Sequence, residues 1–246
     1  MTVSQAIILG AGRGSRLGGA LPAGQPKCLI DLGGKPLLAH QVEALVRVGV
    51  RRVTVVVGYA QDAVRAAGAV LEGRLPVEFD WVENPRFAET NTLSSLFLAR
   101  NSMGGGFYLL NGDVLFGPKV IEILAESTYE SDIAVEAGRC ADEEVKVIVD
   151  GDRVTAIGKQ LDPTACLGEA IGVNRFGPLA VAPLIDALTG AVAGGHENAF
   201  FEHAVQQMLG STPVFATAIT GEPAVEIDFP ADLERARREV LPRLKP

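Results

Sequence analysis

The chain has 246 residues, 22 Lys and Arg against 30 Asp and Glu, a formal net charge of −8, and 48% hydrophobic residues. At roughly 100–200 residues per domain, that is one large domain or one domain with an inserted lobe. With 21% of its residues charged, the chain is apolar enough to bury a core, which excludes intrinsic disorder. The acidic balance argues against a dedicated nucleic-acid binder, which normally presents a basic face. It still allows a small anionic ligand held by a few local cations. Cys28, Cys140 and Cys166 are widely spaced without C-x-x-C, which predicts reduced thiols rather than a disulfide framework or zinc site. Residues 1–10 are broken too early by glycine for a secretory leader. No apolar run reaches the roughly 18–20 residues of a membrane span. A cytoplasmic protein is expected.

Residues 6–9, Ala-Ile-Ile-Leu, form a short continuous apolar run ending at Gly10, the pattern of a strand buried on both faces. Apolar residues recur at helical spacing over 36–48, and Gly49 stops them. Strands are then expected at 52–57, 77–82, 107–110 and 133–136, with helices at 62–71, 92–100 and 119–126. Such alternation implies right-handed βαβ crossovers and a doubly wound, mostly parallel sheet. Beyond it the pattern changes. Residues 145–149 and 154–157 flank Asp150-Gly151-Asp152, a β-hairpin signal. An apolar stretch at 172–176 follows, then helices at 179–188 and 197–209, a strand at 214–218 and a charged helix from 231. The fold class read here is α/β, with a small hairpin and helical elaboration in the second half. A single domain over 1–246 is expected, with one half at about 1–138 and an elaboration at about 139–226 inserted before the last helix.

Four segments carry chemistry. Leu9-Gly10-Ala11-Gly12-Arg13-Gly14-Ser15-Arg16-Leu17 follows the first strand. Its glycines let backbone amides approach an anion, and Arg16 adds a fork of donors. It is neither a Rossmann G-x-G-x-x-G, since Ser15 stands at the last glycine, nor a P-loop, since Gly-Lys-Ser/Thr is missing. Leu109-Leu110-Asn111-Gly112-Asp113 is an apolar strand delivering a carboxylate at its carboxyl end, where open α/β sheets bind ligands. Asp113 there suits Mg²⁺, which takes one or two protein oxygens beside substrate phosphates. Asn91-Thr92-Leu93-Ser94-Ser95-Leu96 places amides and hydroxyls at a helix start, where they suit a base edge as well as a helix cap. The fourth is Ala224-Val225-Glu226-Ile227-Asp228-Phe229-Pro230-Ala231-Asp232-Leu233. Within it, Asp232 suits the first turn of the last helix.

The glycine loop, followed by Pro26-Lys27 and Gly34-Lys35-Pro36-Leu37-Leu38, resembles the signature of nucleotidyltransferases that couple an NTP to a phosphorylated small molecule. The resemblance implies a Rossmann-like nucleotidyltransferase fold in which Leu9, Gly10, Ala11, Gly12, Arg13, Gly14 and Gly112 bind the nucleotide. It implies catalytic roles for Lys27 and Arg16 on phosphate oxygens, and Asp113 with Asp228 as Mg²⁺ ligands. Sugar nucleotidyltransferases carry a Gln…Pro-x-Gly segment where this chain has Asn-Thr-x-Ser-Ser-Leu. That version resembles the cytidylyltransferase branch acting on phosphocholine, inositol phosphate or aminoethylphosphonate. Asn91, Thr92 and Ser95 then contact the base. Lys159 joins the catalytic cations, and Lys146, Glu169 and Glu202 fall in the acceptor pocket. There Phe200-Phe201-Glu202 resembles an aromatic–aromatic–Glu element suited to a cationic head group.

The reaction implied is Mg²⁺-dependent transfer of CMP from CTP to a phosphorylated or phosphonate acceptor, with release of pyrophosphate. A sugar-1-phosphate enzyme using UTP, dTTP or GTP is the alternative, and an inactive nucleotide sensor a remote one. A glycosyltransferase would show D-x-D, which Asp150-Gly151-Asp152 matches only as a hairpin turn. No nucleic-acid or membrane partner is expected, and pairing into a homodimer through the exposed hairpin suits a small transferase of this type.

Overall fold

The computed structural model describes residues 3–244. β1 (Gln5–Leu9) sends Ala6 and Ile8 into one core cluster and Ile7 and Leu9 into another. Both faces of the strand are therefore covered, which is why its apolar run is continuous. β2 (Arg52–Val57), β3 (Glu78–Glu83) and β4 (Phe107–Asn111) join it in parallel, in the order β3-β2-β1-β4. α1 (Leu37–Arg47), α2 (Gln61–Glu72) and α4 (Pro118–Glu126) cover one face. α3 (Thr92–Leu98), α5 (Pro178–Ala193) and α6 (Glu202–Met208) cover the other. The doubly wound sheet expected from the alternation is present. Its crevice opens at the carboxyl ends of β1 and β4, where the crossovers depart to opposite faces.

The sheet continues beyond β4 through β9 (Gly168–Phe176), β6 (Asp132–Ala137), β10 (Phe215–Ala218), β8 (Arg153–Gly158) and β7 (Lys146–Asp150). β8 and β9 run against the other strands. The β7–β8 hairpin turns at Gly151, φ 60°. Among the described residues, no helix is long and apolar enough to cross a membrane.

Two expectations are corrected, and one element is new. The helix read over 197–209 is only α6, Glu202–Met208. Its first residues are used otherwise: Glu197 O accepts from Asn91 N and Ser94 Oγ, and Ala199 O accepts from Leu93 N. Carbonyls committed to the start of α3 cannot build a helical turn of their own. The charged C-terminal helix starts as α7 (Pro230–Arg235), then relaxes through a π turn over Ala236–Val240 into a 3₁₀ turn over Leu241–Leu244. A second sheet also forms, which periodicity could not reveal because each strand spans three residues. Here β5 (Val114–Phe116) pairs antiparallel with β11 (Ala224–Glu226), so that Glu226 lies opposite Val114.

Candidate active site

The glycine loop leaves β1 at the crevice. Gly10 N donates to Val56 O at 2.9 Å, which ties the loop's base to β2. Among the described residues no acceptor faces the amides of Ala11, Gly12, Arg13 and Gly14. Gly14 holds φ 69°, and a Cβ there would meet Leu21 Cδ1 at 2.9 Å. Such a run of uncommitted amides has donors to offer an anion. Leu9, Ala11, Gly12 and Gly14 line the cleft. Gly10 and Arg13 do not, because the Gly10 amide is spent on the sheet and the Arg13 guanidinium stacks 5.2 Å from the Tyr59 ring centroid.

The floor is ionic. Lys27, 8% exposed, sits on a single 3₁₀ turn and donates from Nζ to Asp113 Oδ2 at 2.7 Å and to Asp228 Oδ1. Burial works against its charge, but Asp113 and Asp228 outweigh that cost and hold its pKa above the ordinary lysine value. Arg16 Nη2 reaches Asp228 Oδ2 at 2.8 Å.

Asp113 is placed by a close approach of two strand ends. Gly112 N donates to Leu9 O at 3.1 Å, and a Cβ on Gly112 would lie 2.5 Å from that same oxygen. Only glycine lets β4 end against β1 here. Gln41, buried in α1, donates from Nε2 to Asn111 O at 2.7 Å and Val114 O at 2.9 Å, clamping the turn that presents Asp113.

Glu226 completes the floor, and the sequence reading passed over it. Ligand atoms of Asp113, Glu226 and Asp228 all lie within 4.8 Å of one another. Residue 226 as a whole is exposed, yet withdrawal of its carboxyl from water, reinforced by the charges of Asp113 and Asp228, pushes its pKa up to about 8. Asp113 Oδ1 is buried without a hydrogen-bond partner among the described residues. Three converging hard oxygens with one left unpaired fit a divalent cation such as Mg²⁺. The spacing in Glu226-Ile227-Asp228 is the signal that could have revealed it, since alternate residues of an extended segment share a face.

The far walls come from α3, from α6 and from the 3₁₀-free segment between α5 and α6. Asn91, Thr92 and Ser95 line the cleft, and each also has a structural bond. Asn91 Oδ1 caps α3 by accepting from Thr92 N at 2.8 Å, Thr92 Oγ1 accepts from Phe201 N at 3.0 Å, and Ser95 Oγ accepts from Asn84 Nδ2 at 3.1 Å. Lys159 Nζ stands 4.5 Å from the Phe200 ring centroid. Glu202, 6% exposed, lines the same end, and burial pushes its carboxyl up to about 7.

Two residues expected at the acceptor pocket lie elsewhere. Lys146 is 1% exposed, and its ammonium is consumed by the carbonyls of Asp142 (2.8 Å), Glu144 (3.2 Å) and Lys159 (2.7 Å). It ties two loops together and cannot reach a ligand. Glu169 stands outside the cleft lining, opposite Lys146 and Glu136 in the sheet, and burial with the charges of Glu144 and Glu136 pushes it up to about 7. The three cysteines are free, and Cys140 and Cys166, widely spaced in sequence, lie close in space, with Sγ atoms separated by 2.8 Å.

Residues 6–203 match the sequence profile of the MobA-like NTP transferase domain. The chain belongs to this family. Over 131 residues this NTP transferase is 41% identical to CMP-5'-(3-aminopropyl)phosphonate synthase of Streptomyces rubellomurinus, covering 53% of the chain and only 20% of that longer protein. It is 26% identical to choline-phosphate cytidylyltransferase of Streptococcus pneumoniae over 96% of the chain and 98% of the relative. Its fold superposes on the inositol-1-phosphate CTP transferase of T. maritima with a TM-score of 0.80 at 25% identity, covering 100% of this chain and 97% of the other.

Proposed function

We propose that this NTP transferase moves CMP from CTP to an oxygen of a small phosphate or phosphonate, releasing pyrophosphate. The carrying observation is the cleft floor, where uncommitted amides of the glycine loop face Lys27, Arg16 and three converging carboxylates. In this reading Ala11, Gly12 and Gly14 cradle the triphosphate, while Asn91, Thr92 and Ser95 meet the base edge. CTP is favoured by this polar α3 segment, and cytidylyl transfer is what the three relatives named above have in common.

The acceptor oxygen is already anionic, so it attacks the α-phosphorus without a general base. A bond forms from that oxygen to phosphorus as the bond to the bridging oxygen breaks, and pyrophosphate departs with the electron pair. Arg16 and Lys27 neutralise charge on the phosphates, and Lys159 holds the incoming acid, so that positioning and electrostatics supply the acceleration. Asp113, Glu226 and Asp228 would hold Mg²⁺, which, when bound, adds Lewis-acid polarisation of phosphate oxygens. The nucleotide half is then about 1–138 and the acceptor half about 139–226.

The test is pyrophosphate release with Mg²⁺, crossing CTP, UTP, dTTP, GTP and ATP with phosphocholine, 2-aminoethylphosphonate, inositol 1-phosphate, glycerol phosphate and glucose 1-phosphate. Turnover led by CTP with a non-sugar acceptor supports the reading. Turnover confined to glucose 1-phosphate with another nucleotide replaces it with the sugar-1-phosphate alternative. Nucleotide binding without turnover anywhere on the grid favours the sensor.

A further inference from the structure

We propose that Cys140 and Cys166 are a reversible redox pair, whose disulfide pins together the two loops that wall one end of the cleft and whose reduction frees them. The pairing and the pinning stand on the cysteines and their loops alone. Their consequence for turnover rests on the transfer reading above.

The sheet brings the two thiols together. β6 and β9 pair antiparallel with Ala137 opposite Gly168, and Gly138 N donates to Leu167 O at 3.0 Å. The loops that meet this ladder, residues 138–145 and 159–167, therefore run side by side there. Cys140 lies in the first and Cys166 in the second, and the Cys166 thiol donates to Cys140 Sγ at 2.8 Å. Both are half-buried, within reach of a small oxidant, whereas Cys28 is buried with its thiol on Gly10 O at 3.8 Å. Each loop also supplies the cleft, with Glu143 and Val145 from the first and Lys159 from the second. One polar tie already joins them, the Lys146 ammonium on the carbonyls of Asp142, Glu144 and Lys159. Hydrogen bonds of that kind break and reform freely, but a disulfide beside them opens only by thiol exchange or reduction.

The step needs a two-electron oxidant, and a small disulfide such as oxidised glutathione supplies it. Withdrawal from water, the Cys166 thiol beside it and the charges of Glu144 and Glu169 hold the Cys140 thiol above the ordinary cysteine value. The first attack therefore falls to Cys166. Its thiolate forms a bond to one sulfur of the small disulfide, whose S–S bond breaks and releases one thiolate. Cys140 then gives up its proton and attacks the Cys166 sulfur, and the second thiolate leaves. The two cysteines are oxidised, the small disulfide is reduced to two thiols, and the two cysteine protons end on them. Lys159 is the cation assigned above to the incoming acid, so a wall that cannot yield slows the exchange of acceptor and product. The proposed contacts of CTP, on the glycine loop and α3, lie outside both loops and keep their affinity.

The test equilibrates the wild type, and a double variant carrying Cys140→Ser and Cys166→Ser, with reduced or with oxidised glutathione, which is then removed. The oxidised wild type should be lighter by two hydrogens and show one thiol on unfolding where the reduced form shows its three. Peptide mapping should join Cys140 to Cys166, and dithiothreitol should reverse the change. Amide hydrogen exchange in residues 138–145 and 159–167 should slow by about 10-fold on oxidation. In the pyrophosphate assay, kcat should fall by about 10-fold, with KM for CTP within about twofold. The double variant should be indifferent to both treatments in exchange and in kcat. Three thiols remaining, a stable glutathione adduct or a bridge to Cys28 overturns the pair. A Cys140–Cys166 disulfide that leaves exchange in both loops unchanged overturns the pinning, and an unchanged kcat overturns its consequence for turnover. A double variant that responds like the wild type also overturns the proposal, and should it not fold, the two redox forms of the wild type decide by themselves. No pyrophosphate from any nucleotide with any acceptor sinks the transfer reading and the turnover consequence with it, while mass and exchange still judge the pair.

Discussion

In the proposed mechanism, Lys27 is the residue on which the chemistry turns. Its ammonium is nearly buried, paired with two carboxylates, and set beneath a loop whose amides await an anion. A charge held in place before the substrate arrives needs no reorganisation as the transition state forms, which is where electrostatic catalysis gains most. Lys27→Ala and Asp113→Ala should each lower kcat by about 100- to 1000-fold, with smaller effects on KM. Wild-type turnover of either variant at saturating substrate would remove that residue from the mechanism. A second residue-scale consequence concerns pH. Glu202 and Glu169 titrate near 7 because burial disfavours their charged forms. An unfolded glutamate titrates at about 4.3. Between those values the folded protein retains protons that the unfolded chain has released, so stability falls as pH rises through that window. His40, lowered by burial, works the other way but is outnumbered by the raised carboxyls, Glu226 among them. Differential scanning calorimetry should therefore find a lower Tm at pH 8 than at pH 5.5, with a shallower decline in Glu202→Gln. A Tm that rises over this range in the wild type would contradict the assignment.

At the scale of elements, short connections do the positioning. Gln41 reaches from α1 to two carbonyls on either side of the Gly112–Asp113 turn. Its Oε1 has no partner among the described residues, so what the side chain contributes is what Nε2 holds. Gln41→Met keeps the volume but leaves the carbonyls of Asn111 and Val114 unpaired, a cost of about 1–3 kcal/mol. The expected outcome is a lower Tm together with a higher Mg²⁺ requirement for half-maximal rate, since Asp113 loses its fixed presentation. A variant with the lower Tm but an unchanged Mg²⁺ requirement would make Gln41 structural only. The segment from Glu197 to Phe201 shows the same logic. Its apolar spacing reads as helix, but bonds to the start of α3 hold it open, which sets Phe200 and Glu202 at the cleft. Helical periodicity reports which residues prefer burial, and it carries no information about carbonyls claimed by a distant element.

For the molecule as a whole, the floor is assembled from separate parts of the chain. Lys27 comes from the 3₁₀ turn beyond the glycine loop, Asp113 from the turn between β4 and β5, Glu226 from the end of β11 and Asp228 from the segment after it. The C-terminal turns fix that last contribution. Leu233, Ala236 and Val240 pack with Leu17, Ile30 and Leu37, which anchors the acidic segment against the glycine-loop flank. Crowding three carboxylates costs free energy that a bound cation relieves, so metal and stability are linked. In the presence of CTP, replacing EDTA with MgCl₂ should raise Tm by several degrees, and Glu226→Gln or Asp228→Asn should remove most of the rise. A Tm indifferent to Mg²⁺ in the wild type would remove the metal assignment.

The amino-acid sequence alone determines the doubly wound α/β architecture, because a continuous apolar run such as 6–9 is stable only between two helical layers. It likewise makes legible the glycine loop and Asp113, since backbone approach to an anion and a carboxylate at a strand's end call for those residue types at those places, whereas Lys27 and Asp228 were legible only through the family resemblance. Tertiary structure decides the rest. The three-residue pairing of β5 with β11 brings Glu226 opposite Val114, and no local periodicity encodes a contact between segments so far apart in the chain. Lys146, a ligand contact by the resemblance, is turned inward, where its ammonium is taken up by three loop carbonyls. Whether a charged side chain serves a ligand or the fold depends on which partners the packed chain leaves to it, and that is known only once the chain has closed on itself.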